Sequence, residues 1–181
     1  MAKSPNFISQ ISSKLRTGVP HLTSDSETIV ILDSQGKASH KLTVENIRSS
    51  DWGYIYERYV GLNYESRGWS VSYRGLEQQF SDQGIDLIIT KTQQIKYMQC
   101  KYTDGVRRFG KQRIETILYE ASTYLSKQYK GKKLNFALVV PSIEKTLTDR
   151  MKTYFLSKNT AQDKVVLELI EIPMELPIYS L

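Results

Sequence analysis

The sequence predicts an α/β protein, a layered sandwich around a mixed central β-sheet, and three observations predict it. Short apolar runs rich in β-branched residues, Ile85–Thr90, Ile95–Lys101, Asn135–Val140 and Val165–Ile172, are interleaved with stretches whose apolar residues recur every three or four positions. That alternation of period is the mark of helices packed on a sheet. Gly68, Gly131, Pro141 and Pro173 stand at the ends of these runs, where helices and strands stop. The length of 181 residues suffices for one hydrophobic core and is short for two full domains with a linker.

Residues 1–27, rich in Ser, Thr, Asn and Pro, read as an irregular or short-helical lead-in. Thr28–Leu32 and Lys41–Val44 flank the turn-forming stretch 33–37 and predict a β-hairpin. Residues 1–48 are therefore expected to form an N-terminal extension carrying that hairpin, and 49–181 the main domain. Ser49, Ser50 or Asp51 caps a helix expected to run to about Arg67, with Trp52, Ile55, Tyr56, Tyr59 and Val60 on one face and Glu57 beside that stripe. Trp69–Tyr73 alternates as a strand, and a polar loop is expected over Arg74–Gln83. The runs 85–90 and 95–101 form an antiparallel hairpin. Ile114, Ile117, Leu118, Ala121, Tyr124 and Leu125 predict a helix over 112–129. A strand, a helix over 145–156 and a last strand complete the order α-β-β-β-α-β-α-β from residue 51.

Composition excludes several classes. Apolar residues make up 40% and charged residues 24%, values of a globular chain rather than a disordered or fibrous one. The longest wholly apolar runs, such as Phe136–Val140, fall far short of the roughly 20 residues that span a bilayer. Lys3 and Lys14 enclose no apolar stretch resembling a secretory signal, so a cytoplasmic location without membrane contact is expected. One cysteine, Cys100, and two histidines, His21 and His40, leave no set of ligands for structural zinc. Any metal must be held by oxygen.

The net charge of +6 is concentrated. Nine Lys/Arg against three acidic residues lie between Lys101 and Lys133, and the remainder of the chain is neutral in sum. Such a stripe is either the solvated face of a Lys-rich helix or a surface for phosphate.

The most informative spacing is Gly84-Ile85-Asp86-Leu87 followed by Gln99-Cys100-Lys101, with twelve residues between Asp86 and Gln99. Side chains alternate along a strand, so Gln99 and Lys101 share a face and Cys100 takes the other. Asp86 is an acid inside an apolar run, a costly placement unless it is paired or binds a cation. A buried Asp86–Lys101 ion pair is the simple explanation. Adding Gln99 and the upstream Glu57 turns the pair into a set of oxygen ligands suited to a hard divalent cation, with an amine beside it.

Glu57 in a leading helix, Gly84-Ile85-Asp86, and Gln99-Cys100-Lys101 after one turn together resemble the Mrr-type restriction endonuclease branch of the PD-(D/E)XK nucleases, over roughly residues 50–140. The resemblance implies a restriction endonuclease-like three-layer sandwich with an αβββαβ core. It implies Mg²⁺-dependent hydrolysis of DNA phosphodiester bonds, with Mn²⁺ able to substitute, leaving 5′-phosphate and 3′-hydroxyl ends. Asp86, Gln99 and Glu57 would hold the ion, and Lys101 would position or help deprotonate the attacking water. Most of the superfamily has Glu or Asp where this chain has Gln99, while Gln-x-Lys is usual in the Mrr-like branch; a neutral amide is the weaker ligand. Glu65 and Glu77 are alternatives to Glu57, and Asp82 is a further ligand candidate or a turn residue.

Arg107, Arg108, Lys111 and Arg113 follow the catalytic strand and are expected to contact the DNA backbone without reading sequence. Tyr73, Arg74 and Glu77 could approach DNA from the preceding loop, whereas Tyr54, Tyr56, Tyr59 and Tyr124 fall on helical faces suited to the core. No DNA-reading module is evident, so specificity is expected from a homodimer or a separate partner. Two alternatives stand beside the restriction or defence role. One is a structure-specific nuclease such as a Holliday junction resolvase, whose usual motif is Glu-x-Lys; the other is a catalytically silent DNA-binding module of the same fold.

Overall fold

A computed structural model describes residues 9–78, 83–158 and 164–179. In chain order these form α1 (Ser9–Leu15), β1 (Val19–Thr23), β2 (Thr28–Leu32), β3 (Ala38–Thr43), α2 (Ser49–Glu65), β4 (Ser70–Tyr73), α3 (Arg74–Gln78), β5 (Leu87–Lys91) and β6 (Gln94–Cys100). Then follow α4 (Lys111–Gln128), β7 (Leu134–Val140), α5 (Ile143–Thr146), α6 (Asp149–Leu156), β8 (Val165–Glu171) and β9 (Ile178–Tyr179). The described residues are thus a mixed α/β arrangement with two mixed sheets and six helices.

The larger sheet has the order β4-β5-β6-β7-β8. Its first three strands pair antiparallel, with Tyr73 opposite Leu87 and Leu87 opposite Met98. The remaining pairs are parallel, with Gln99 opposite Leu138 and Leu138 opposite Leu169. The period-two alternation decides what each face buries. Leu87, Ile89, Met98, Cys100, Ala137 and Val139 pack with Ile55, Tyr56 and Val60 of α2. Tyr97, Phe136, Leu138, Val140 and Leu167 pack with Ile114, Ile117, Ala121 and Leu125 of α4 and with Phe155 of α6. Helices therefore cover both faces, which is why these strands read as continuous apolar runs.

The expected hairpin is present as β2 and β3, but it is half of a four-stranded sheet ordered β3-β2-β1-β9. The residues read as a lead-in contain α1 and β1. Pro20 obscures β1 in the sequence, and it is tolerated because β9 pairs only with Leu22 and Thr23, leaving the Pro20 edge unpaired among the described residues. Ile11, Leu15, Ile29 and Ile31 share one core with α2 and the larger sheet. Arg58 Nε, on α2, donates to the Gly18 carbonyl at 3.0 Å across the same junction.

Three further differences have local causes. The expected loop after β4 begins as α3, and residues 79–82 lie outside the described segments, Asp82 among them. The expected helix over 145–156 is two helices. Thr148 accepts from the Met151 N–H and caps α6, and Ser142 caps α5 in the same way, so the backbone breaks at the buried Leu147. The strand expected from Ile85 starts at Leu87. No helix of the described residues is long and apolar enough to cross a membrane.

Candidate active site

The point where β5 and β6 end between α2 and α4 is a cleft of about 520 Å³. Gly84 brings the chain into it. Its φ of 72° is a left-handed conformation, and an added Cβ would run into Glu120 of α4, so both the turn and the close helix favour glycine.

Asp86 follows, one residue ahead of β5, and is fixed by its backbone on both sides. Its N–H donates to the Met98 carbonyl at 2.9 Å, and its carbonyl accepts from the Gly75 N–H at 3.0 Å. Its side-chain Oδ2 accepts from the Cys100 N–H at 2.6 Å, an interaction that ties the acid to the end of β6. The sheet ladder thus continues one step past the strand.

Glu57 reaches the same cleft from α2 and is 4% exposed. Its Oε1 accepts from the Leu76 N–H at 3.0 Å, in the first turn of α3. Gly75 lies flat against this carboxylate, where any Cβ would overlap it. The sequence alternatives fall elsewhere: Glu65 accepts from the Tyr73 hydroxyl at 2.9 Å and pairs with Arg58, and Glu77 does not line the cleft.

Gln99 is 1% exposed, and its Oε1 has no hydrogen-bond partner among the described residues although Gln99 lines the cleft. A buried acceptor left unsatisfied costs about 1–3 kcal/mol, which makes it the most informative atom of the site. Lys101 is half-buried just past β6, its N–H continuing the parallel ladder to the Val139 carbonyl at 2.9 Å. It enters none of the ion pairs among the described residues, so the simple Asp86–Lys101 bridge is not what holds Asp86. Between these two polar residues Cys100 is buried on the α2 side. Burial and then the charges of Asp86 and Glu57 push its thiol well above the usual range.

Glu57, Asp86, Glu120 and the Gln99 amide oxygen therefore line one cleft with Lys101 and Arg113. Among the described residues no group of three or more His, Cys, Asp or Glu is arranged to hold a metal ion. The donor chemistry of the cleft suits a hard cation through Glu57, Asp86 and Gln99 Oε1. No family model, curated protein or solved structure matches this chain.

The expected phosphate-contacting residues separate into three environments. Arg113 lines the cleft with Asp86 and Lys101. Arg107 lines a neighbouring recess. Lys111 points away, 3.7 Å from Glu115 and 5.4 Å from the Tyr154 ring centre. Arg108 is exposed in the loop before α4. Of the residues expected to approach DNA from the loop after β4, Tyr73 is buried and Arg74 packs over the Tyr124 ring at 4.4 Å. Ser50, expected only as a helix cap, and Tyr54, expected in the core, also line the cleft, as do Gly53 and Glu120, which carried no expectation. The helical spacing of 50, 53, 54 and 57 could have found the first three, because they share the face of α2 that carries Glu57.

Proposed function

We propose that this chain is a divalent-cation-dependent nuclease that hydrolyses DNA phosphodiester bonds in the cleft between α2 and α4. The observation that carries the reading is the unsatisfied, buried Gln99 Oε1 beside two buried carboxylates. A buried amide oxygen with no hydrogen-bond partner among the described residues, set beside carboxylates, suits a cation, and oxygen-only ligation selects Mg²⁺ or Mn²⁺. Glu57, Asp86 and Gln99 are the residues that would hold it. The ion, when bound, supplies Lewis-acid polarisation of the scissile phosphate and lowers the pKa of a coordinated water.

The protein groups have separable tasks. Asp86 and Glu57 orient their carboxylates through backbone N–H groups of Cys100 and Leu76, so they need little reorganisation when substrate arrives. Lys101 presents an ammonium at the rim of the same cleft, where it orients the attacking water and offsets charge building on the phosphorus oxygens. Arg113 draws the backbone phosphate into place. Helices on both faces of a mixed sheet, in the order α2-β4-α3-β5-β6-α4-β7, support a restriction endonuclease-like core with the short α3 inserted between its first two strands, and with it the PD-(D/E)XK reading.

Cleavage of plasmid, linear, branched and methylated DNA with Mg²⁺ or Mn²⁺ tests the proposal, with Asp86→Ala and Lys101→Ala as controls. Failure to cut any substrate, or equal cutting by the variants, overturns it. One observation favours a second reading: no three His, Cys, Asp or Glu among the described residues are grouped to hold a metal, so the site also suits a silent DNA-binding module. That reading requires metal-independent DNA binding without cleavage. The same panel separates a restriction or defence enzyme from a junction resolvase by the branched substrate. A homodimer or partner that supplies specificity remains part of the proposal.

A further inference from the structure

Beside the cleft lies a second recess of about 370 Å³, lined by Trp52, Tyr102, Phe109, Ser49, Asp104 and Arg107. Trp52 and Tyr102 stack with ring centres 5.3 Å apart and 16° between planes, and Tyr56 backs Tyr102 at 5.9 Å. The two cavities are lined by neighbouring residues of the same segments. Ser49 and Trp52 of α2 face the recess while Ser50 and Gly53 face the cleft, and Lys101 lines the cleft while the next residue, Tyr102, lines the recess.

Gly53 sharpens this arrangement. It sits inside α2, where glycine weakens a helix, and among the described residues nothing beyond its chain neighbours and the helix's own backbone comes within 4 Å of the Cβ it lacks. Packing against other elements does not account for glycine there, and its bare backbone leaves room for a ligand over the helix between the two cavities.

We infer that this recess takes one unpaired nucleobase of the nucleic-acid strand whose phosphate occupies the cleft; the inference rests on the nuclease reading and narrows its substrate to single-stranded or locally unpaired DNA. The Trp52–Tyr102 stack offers an aromatic platform of the kind on which bases stack irrespective of sequence. Asp104 and Ser49 supply hydrogen-bonding groups for base edges, and Arg107 adds a cation at the recess for the adjoining phosphate. Duplex DNA holds its bases stacked and paired, so only an unpaired or extruded base enters. The wall is preformed: the Asp104 side chain accepts from the Val106 N–H and the Thr103 hydroxyl from the Gly105 N–H, which fixes the loop before α4.

The test uses the full chain with Trp69→Phe, which leaves Trp52 as the only tryptophan. Trp52 fluorescence is titrated in EDTA with a single-stranded 12-mer, the same 12-mer lacking its bases, and the matching duplex. The single strand is expected to quench Trp52, and the abasic strand and the duplex to bind about 5- to 100-fold more weakly, the size of one base–aromatic stack. Tyr102→Leu should lose the same factor, and Tyr102→Phe should retain binding. Gly53→Ala should raise thermal stability while weakening the single strand. Equal binding of abasic and normal strands, or no change in Trp52 emission, overturns the inference whatever Tyr102→Leu does to folding. Mg²⁺-dependent cleavage is measured alongside: cutting without quenching refutes the recess and spares the nuclease, and quenching without cutting does the reverse.

Discussion

Replacing Gln99 by methionine should make the metal-free protein more stable and the metal response weaker. Gln99 Oε1 is buried without a partner, and Met fills a similar volume with no acceptor to leave unsatisfied. Removing an unsatisfied acceptor is worth about 1–3 kcal/mol. At roughly 2–4 °C per kcal/mol for a chain of this size, a gain of about 2 kcal/mol raises Tm by roughly 4–8 °C in EDTA. The wild-type protein should in turn gain about 2.7 kcal/mol from Mg²⁺ or Mn²⁺ at a hundred times its Kd. Gln99→Met should lose most of that gain, so the two variants converge or cross as metal is added. Gln99→Glu should do the opposite, with a lower Tm in EDTA because a further acid crowds the cleft and a larger rise with metal. Differential scanning calorimetry across a metal titration reads both signs. A fall in Tm for Gln99→Met in EDTA, or an undiminished metal response, refutes the reasoning that this oxygen is kept for a cation.

Other residues of the site give separable outcomes. Asp86→Asn retains an acceptor for the Cys100 N–H and loses the charge, so it should fold within about 1 kcal/mol of wild type while cleavage falls at least ~100-fold; denaturant melts and cleavage rates check the two halves. Gly75→Ala pushes a methyl into the Glu57 carboxylate and should cost about 1–3 kcal/mol, and Glu57→Asp in the same chain should recover part of it, a coupling that a double-mutant cycle measures. Arg113→Ala should flatten the slope of log K against log salt by about 0.9, whereas Lys111→Ala, paired with Glu115, should leave it nearly unchanged. For Cys100 the sign follows from burial: the folded thiol stays neutral above the ordinary thiol range while the unfolded one ionises. Its contribution is therefore complete below the ordinary thiol range and is lost as pH rises from there through the raised folded value, at up to about 1.4 kcal/mol per unit; alkylation of Cys100 should require unfolding.

Much of the larger sheet was legible because its signals are local. Ile114, Ile117, Ala121 and Leu125 mark the buried face of α4 by spacing alone, and the four apolar runs match β5 to β8 within one or two residues. Asp86, Gln99, Lys101 and Glu57 could be nominated because polar residues in or beside buried elements are anomalous, and the fold brings all four to one cleft. What was illegible depended on distant pairing. β1 becomes a strand through β2 and β9, the latter more than 150 residues away, and its Pro20 and His21 contradict local propensity. Leu147 breaks a helical pattern because Thr148 prefers to cap, a competition that periodicity does not register. The basic segment showed its charge but not its direction, since helix phase turns Arg113 inward and Lys111 outward.

The neutral ligand has an electrostatic consequence that binds the parts of the proposal together. A divalent ion held by Glu57 and Asp86 is balanced by their two charges, and Lys101 then leaves the site net positive. A third carboxylate at position 99 would cancel that excess and repel an incoming phosphate in a cleft where charges are poorly screened. On the proposed reading, glutamine would let phosphate and cation each favour the other's binding, and linkage would make the effect mutual. Lys101→Ala should therefore weaken DNA binding and tighten Mn²⁺ binding to the DNA-free protein, because the ammonium attracts phosphate and repels the cation. Two unchanged affinities would mean that Lys101 lies outside the electrostatics of the site.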